Sequence, residues 1–184
     1  MQSERIILGI DPGTNLMGYS VIRISGAKIQ LIKFGVINLS KLDNHALKLR
    51  AIFKEVDQII KNYHPDELAI EAPFYGKNVQ SMLKLGRAQG VAMAAALNRD
   101  IPITEYSPKK IKQSITGKGA ASKEQVAAML RHIVAFTEEP KSLDATDALA
   151  VAVCHHFQGG KQNDGKKYSG WGSFIKDNPD RIGK

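Results

Sequence analysis

Two aspartates three residues apart, Asp144 and Asp147, stand at the head of an otherwise apolar run, SLDATDALAVAV, over residues 142–153. On a helix that spacing puts both carboxylates on one face. The helix dipole accounts for Asp144 in a first turn, an effect of about 0.3–1 kcal/mol. Asp147 lies deeper, where that explanation weakens. Two further acids end apolar runs: Asp11 closes RIILGID and Glu71 closes ELAIE. Ligands of open α/β sheets bind beyond the carboxyl ends of parallel strands, so both acids stand where a site forms. Four carboxylates brought together repel and raise one another's pKa unless a cation holds them. Hard divalent ions such as Mg²⁺ prefer such oxygens. The alternative is four unrelated surface acids. A carboxylate cluster with two metal ions suits phosphodiester cleavage, one ion activating a water and the other stabilising the leaving 3′ oxygen.

These acids need a frame. RIILGID is a strand followed by the turn residues PGT. GYSVIRI and AKIQLIKFGVINL alternate in polarity on either side of a Ser25-Gly26 turn, which predicts a three-stranded meander. Residues 44–63 repeat apolar side chains at helical spacing, and His64-Pro65-Asp66 ends that helix. ELAIE is a short buried strand, 78–98 a second helix and IPITEY a fifth strand. Residues 107–118 are basic and show no clear period. Ser122 opens a helix with Gln125 in the capping-box position, and the last helix begins near Leu143. The predicted fold is a mixed five-stranded sheet with helices on both faces. One domain spans residues 1–158. The polar, glycine-rich stretch 159–184 is predicted to be a mobile tail.

Composition bounds the partners. A chain of 184 residues suffices for one full core. No apolar run approaches the ~20 residues of a membrane span, so no membrane is expected. The start MQSERIILGI shows no signal-peptide pattern. The lone cysteine, Cys154, rules out an internal disulfide and fits a reducing cytoplasm; it reads as a small buried residue. The net charge of +8 points to a polyanionic partner, most often nucleic acid.

The stretches GIDPGTNLMGYSVI, AIEAPFYGKNVQSMLKLGRAQGVAMAAAL and LDATDALAVAVCH are together similar to the RuvC-type Holliday junction resolvases of the ribonuclease-H-like superfamily. The likeness spreads through most of residues 5–157. It implies catalytic acids at Asp11, Glu71, Asp144 and Asp147, and two Mg²⁺ ions with Mn²⁺ as a substitute. It further implies a homodimer that nicks two like-polarity strands of four-way junction DNA, and a branch-migration helicase as a partner. DxGT also opens the phosphate loop of actin-like and sugar-kinase ATPases, but those need a second lobe for which 184 residues leave no room. A short nuclease of ribosomal RNA precursors shares the GID-G start; it is not expected to carry EAPF followed by SMLKLGRAQGV.

Other residues fit less forcefully. Phe74 and Tyr75 follow Glu71. One of them packing in the core is the plain alternative to stacking on an unpaired base, an interaction worth about 1–3 kcal/mol, and the resemblance gives that role to Phe74. Lys109, Lys110, Lys112, Lys118 and Lys123 occupy an acid-free segment beside a glycine-containing loop and a helix start, both favourable for phosphate. The resemblance supports Lys112 and Lys118 as backbone contacts; a solvated face is the alternative. Gly86, Gly90 and Ala94, with Met82 and Leu83 nearby, form a small-residue stripe. It suits a dimer face or packing on the chain's own sheet. His155 and His156 close the last helix, where a cation suits the dipole, and no histidine has ligand spacing.

Overall fold

The computed structural model describes residues 4–73, 78–134 and 143–159. Phe74, Tyr75 and the stretch 160–184 lie outside the described residues. Five strands form one sheet: β1 (Arg5–Asp11), β2 (Leu16–Ser25), β3 (Lys28–Asn38), β4 (Glu67–Glu71) and β5 (Ile103–Tyr106), in the order β3-β2-β1-β4-β5. The meander is antiparallel, while β4 runs parallel to β1 and β5 parallel to β4. This is the mixed five-stranded sheet that the element order predicts, in the ribonuclease-H-like arrangement that the resemblance implies.

The pleat decides what faces where. Ile7 and Ala69 belong to one core and Leu8, Ile10, Leu68 and Ile70 to the other, because successive side chains of a strand point to opposite sides. The second core is covered by α1 (His45–Tyr63) and α2 (Val79–Leu97). The first is covered by α3 (Pro108–Thr116), α4 (Lys123–Ile133) and α5 (Leu143–Phe157). By the same alternation Asp11, Glu67 and Glu71 project toward α5.

Local chemistry sets the helix ends. Asn44 and Asn78 cap α1 and α2 by accepting from Leu47 and Ser81 backbone N–H groups. Ser122 and Gln125 form the predicted capping box of α4. The unassigned segment 107–118 contains α3, with Ser107 as cap, Pro108 in its first turn and Gly117 ending it at φ 75°, a conformation natural to glycine. Only Ile111 and Ile115 of α3 are buried, too few apolar positions for the period to show.

α5 is almost wholly buried, from Ala145 through His155. It lies directly on β1 and β2. A Cβ on Gly18 would stand 2.0 Å from the Asp144 backbone oxygen, and one on Gly9 would stand 2.4 Å from the Ala148 oxygen. Ser20 Oγ donates to the Ala148 oxygen at 2.9 Å. At the far end, His155 does not sit out at the helix terminus as a solvated cation. It is buried, with Nε2 against the Glu67 carboxylate and Nδ1 hydrogen-bonded to the Tyr106 hydroxyl at 2.9 Å. Arg5 completes the group through Glu67 at 3.2 Å. The last helix is thus fastened to β1, β4 and β5 at the end remote from its aspartates. Cys154 is fully buried, as expected.

Candidate active site

β1 and β4 are adjacent and parallel, so their final residues, Asp11 and Glu71, emerge side by side at one end of the sheet. The first two turns of α5 bring Asp144 and Asp147 to the same end. Carboxylate oxygens of Asp11, Asp144 and Asp147 all lie within 4.8 Å of one another. Glu71 is not in that trio. It shares with Asp11 and Asp147 the lining of a cavity of about 540 Å³, whose other walls come from α3, α4 and the link between them. All four predicted acids therefore belong to one region, three with oxygens within 4.8 Å of one another and Glu71 beside Asp11 on the same cavity.

The electrostatics are those of a crowded anion cluster. Burial is the main force pushing Asp11 up to about 8; Glu71, Asp147 and Asp144 add to it, and Lys123 opposes. Burial, then Asp147, push Glu71 up to about 7, against the pull of Lys123 and Lys112. Anions held this close favour protons or a cation. An all-oxygen donor set with partly buried carboxylates fits a hard divalent ion.

Of the predicted phosphate-contacting lysines, Lys109, Lys112 and Lys123 line the cavity. Lys118 is not among its lining residues. Lys123 goes further than the sequence suggested: its Nζ is hydrogen-bonded and ion-paired to Asp147. Burial works against its ammonium, but that bond and the Asp147, Asp11 and Asp144 charges outweigh it and raise the Lys123 pKa. In sequence, Lys123 is only the residue after a helix cap. That position aims it out of the α4 start, yet nothing local says which acid it meets.

The proposed dimer stripe runs along α2 away from the sheet. The buried residues of α2 are Ala88, Gln89, Ala92, Ala95 and Ala96. Gly90 and Ala94 are exposed, Met82 and Gly86 half-buried, and Leu83 is 50% exposed. A Cβ on Gly86 or Gly90 would meet nothing described within 4 Å. The stripe is therefore not explained by packing on the chain's own sheet. Among the described residues no helix is long and apolar enough to cross a membrane.

Comparison with known proteins places this geometry. A family model described as crossover junction endodeoxyribonuclease RuvC matches residues 7–155. The chain is 64% identical over 179 residues to a crossover junction endodeoxyribonuclease RuvC of Cytophaga hutchinsonii, covering 97% of this chain and 88% of that protein. It is 62% identical to the one from Bacteroides fragilis, covering 97% and 96%. Among solved structures it is similar to T. thermophilus RuvC in complex with a Holliday junction substrate. The TM-score is 0.78 at 30% identity, over 84% of this chain and 94% of that one. A yeast mitochondrial Holliday junction resolvase shares the fold, with a TM-score of 0.62 at 16% identity, over 83% of this chain and 80% of that one.

Proposed function

The chain belongs to the RuvC family of crossover junction endodeoxyribonucleases and resolves Holliday junctions; we propose that it does so as a homodimer, with Asp11, Glu71, Asp144 and Asp147 holding two Mg²⁺ ions in each chain. The activity is metal-dependent. The gathering of three carboxylates within 4.8 Å where α5 meets the end of β1, with Glu71 lining the same cavity, carries this reading. When bound, such a pair of ions activates a water and stabilises the leaving 3′ oxygen, with Mn²⁺ able to substitute.

The chain's own residues do the rest. The four carboxylates, ionised, hold the ions and fix where the scissile phosphate sits. Lys109 and Lys112, on the cavity wall, contact the phosphates of the cut strand, and Lys118 extends that contact along the backbone. Lys123 neutralises Asp147 and lies where incoming phosphate needs positive charge. Phe74 and Tyr75, three and four residues beyond Glu71 in sequence, stack on unpaired bases at the junction centre. The outward stripe of α2 seats the second chain. A helical glycine costs about 0.5–1 kcal/mol relative to alanine. Gly86 and Gly90 recover nothing from the described residues, where a Cβ would meet no atom within 4 Å, and a closely approaching second copy accounts for both. Two chains on a two-fold axis match a junction's two equivalent strands and allow paired, symmetric cuts. A branch-migration helicase in the cytoplasm is the expected partner.

Asp147→Asn is the direct test, on a synthetic mobile four-way junction beside linear duplex. The variant should bind the junction with near wild-type affinity and cut it at least a hundredfold more slowly, by roughly the 10²–10³ typical of losing one electrostatic catalytic group. Cleavage at the wild-type rate removes Asp147 from the site.

A further inference from the structure

Gln89 is the one polar side chain among the buried residues of α2. It is 7% exposed, and a buried amide is costly unless it is hydrogen-bonded. Its Nε2 donates to Glu105 Oε2 at 2.7 Å and to the Glu71 backbone oxygen at 3.3 Å. Glu105 and Glu71 belong to neighbouring strands, with Glu71 paired to Tyr106. By the pleat, the Glu105 side chain points toward α2 and that of Glu71 toward α5. Gln89 thus reaches the end of β4 from the face opposite the carboxylate cluster. The same peptide is gripped on its other side, where the Ala72 N–H donates to the Tyr106 oxygen at 2.9 Å.

We propose that Gln89 is a positioning residue for the metal-holding carboxylate of Glu71, oriented for that task by Glu105. Resting on the metal role of Glu71, this extends the site through the sheet. The charge-assisted bond to Glu105 is the shorter and stronger of the two. It fixes the amide so that the second N–H is aimed at the Glu71 oxygen. With both groups of the Glu71–Ala72 peptide held, the backbone at Glu71 has one setting, and its side chain leaves the strand toward Asp11 and Asp147. Outer partners of this kind fix ligand orientation, and losing one typically costs 10–100-fold in metal affinity or activity.

Two variants of the full-length protein separate aiming from mere fastening. Gln89→Met keeps the bulk and removes both donors. Gln89→Glu combined with Glu105→Gln rebuilds an amide–carboxylate bond between α2 and β5 but has no N–H for the Glu71 oxygen. Four readings are taken: melting temperature in chelator, the melting-temperature gain on adding Mg²⁺, junction affinity and single-turnover cleavage. Gln89→Met should cut about ten- to a hundredfold more slowly, with a reduced Mg²⁺-induced gain and unchanged junction affinity. The exchanged pair should regain melting temperature in chelator while cleavage and the Mg²⁺-induced gain stay low. Wild-type cleavage and Mg²⁺ response in the exchanged pair would overturn the proposal, since the bond would then only fasten α2. That arm decides even if Gln89→Met fails to fold. Glu71→Gln runs alongside: if it cuts like wild type, the metal role of Glu71 falls and this proposal with it. If Glu71→Gln is inactive and both Gln89 variants match wild type, only this proposal falls.

Discussion

Asp11 and Glu71 hold protons at pH values where the unfolded chain has released them, since their ordinary values are 3.8 and 4.5 and the folded ones about 8 and about 7. Between those limits the metal-free native state binds more protons than the unfolded state, so its stability falls as pH rises. The contribution is complete below about pH 4 and is lost through about 7 and then 8. Metal binding has the opposite demand, because the ligands must be ionised. In chelator, the melting temperature should fall from pH 5 to pH 9, and Asp11→Asn should flatten that fall. With Mg²⁺, the gain in melting temperature should grow across the same range. Parallel pH curves for Asp11→Asn and wild type would show that Asp11 does not carry the effect. All four acids were legible in sequence, two as strand ends and two by helical spacing. Lys123 against Asp147 and Gln89 beneath Glu71 were not. Each joins elements with no sequence relation to one another, and such pairs follow only from the packed fold.

At the scale of the elements, α5 leaves no slack against β1 and β2. Gly18→Ala puts a methyl 2.0 Å from the Asp144 oxygen, and either the helix lifts or the strand bends. Overpacking of this kind costs about 1–3 kcal/mol, and here it moves Asp144 as well. The expected result is a lower melting temperature together with slower cleavage. Gly90→Ala adds the same methyl where nothing described lies within 4 Å, and should leave the melting temperature of the single chain unchanged or higher. An undisturbed Gly18→Ala protein would show that α5 can yield. α1 was legible from apolar spacing, α4 from its capping box and α5 from an apolar run headed by two aspartates. α3 was not, although Ser107-Pro108 is a helix-start signal, because two buried isoleucines among lysines make no visible stripe. The close approach at Gly18 was also hidden. A glycine inside an alternating strand signals close contact, but the partner is 126 positions away.

For the whole molecule, the outward stripe of α2 should control assembly. Gly90→Arg places bulk and charge where the second chain is proposed to sit. It should give a folded monomer, because that surface holds none of the chain's own core. Sedimentation at micromolar concentration is the check, and a wild-type chain that stays monomeric both free and on a junction would show the homodimer to be wrong. The sheet with helices on both faces was legible from element order. Whether the glycine stripe looks inward or outward was not, because a helix with alanines on one side and glycines on the other reads as small on both.

The acids lie far apart along the chain, and α5 completes the cluster last. A chain stopped between residues 71 and 143 holds Asp11 and Glu71 but neither Asp144 nor Asp147. During synthesis from the N-terminus, the sheet strands emerge early and the closing helix near the end. The proposed cutting centre therefore comes into being only once residue 147 has been made. Products terminated before residue 144 lack at least half of the four acids, so on the proposed assignment they are expected to be inert fragments rather than loose nucleases.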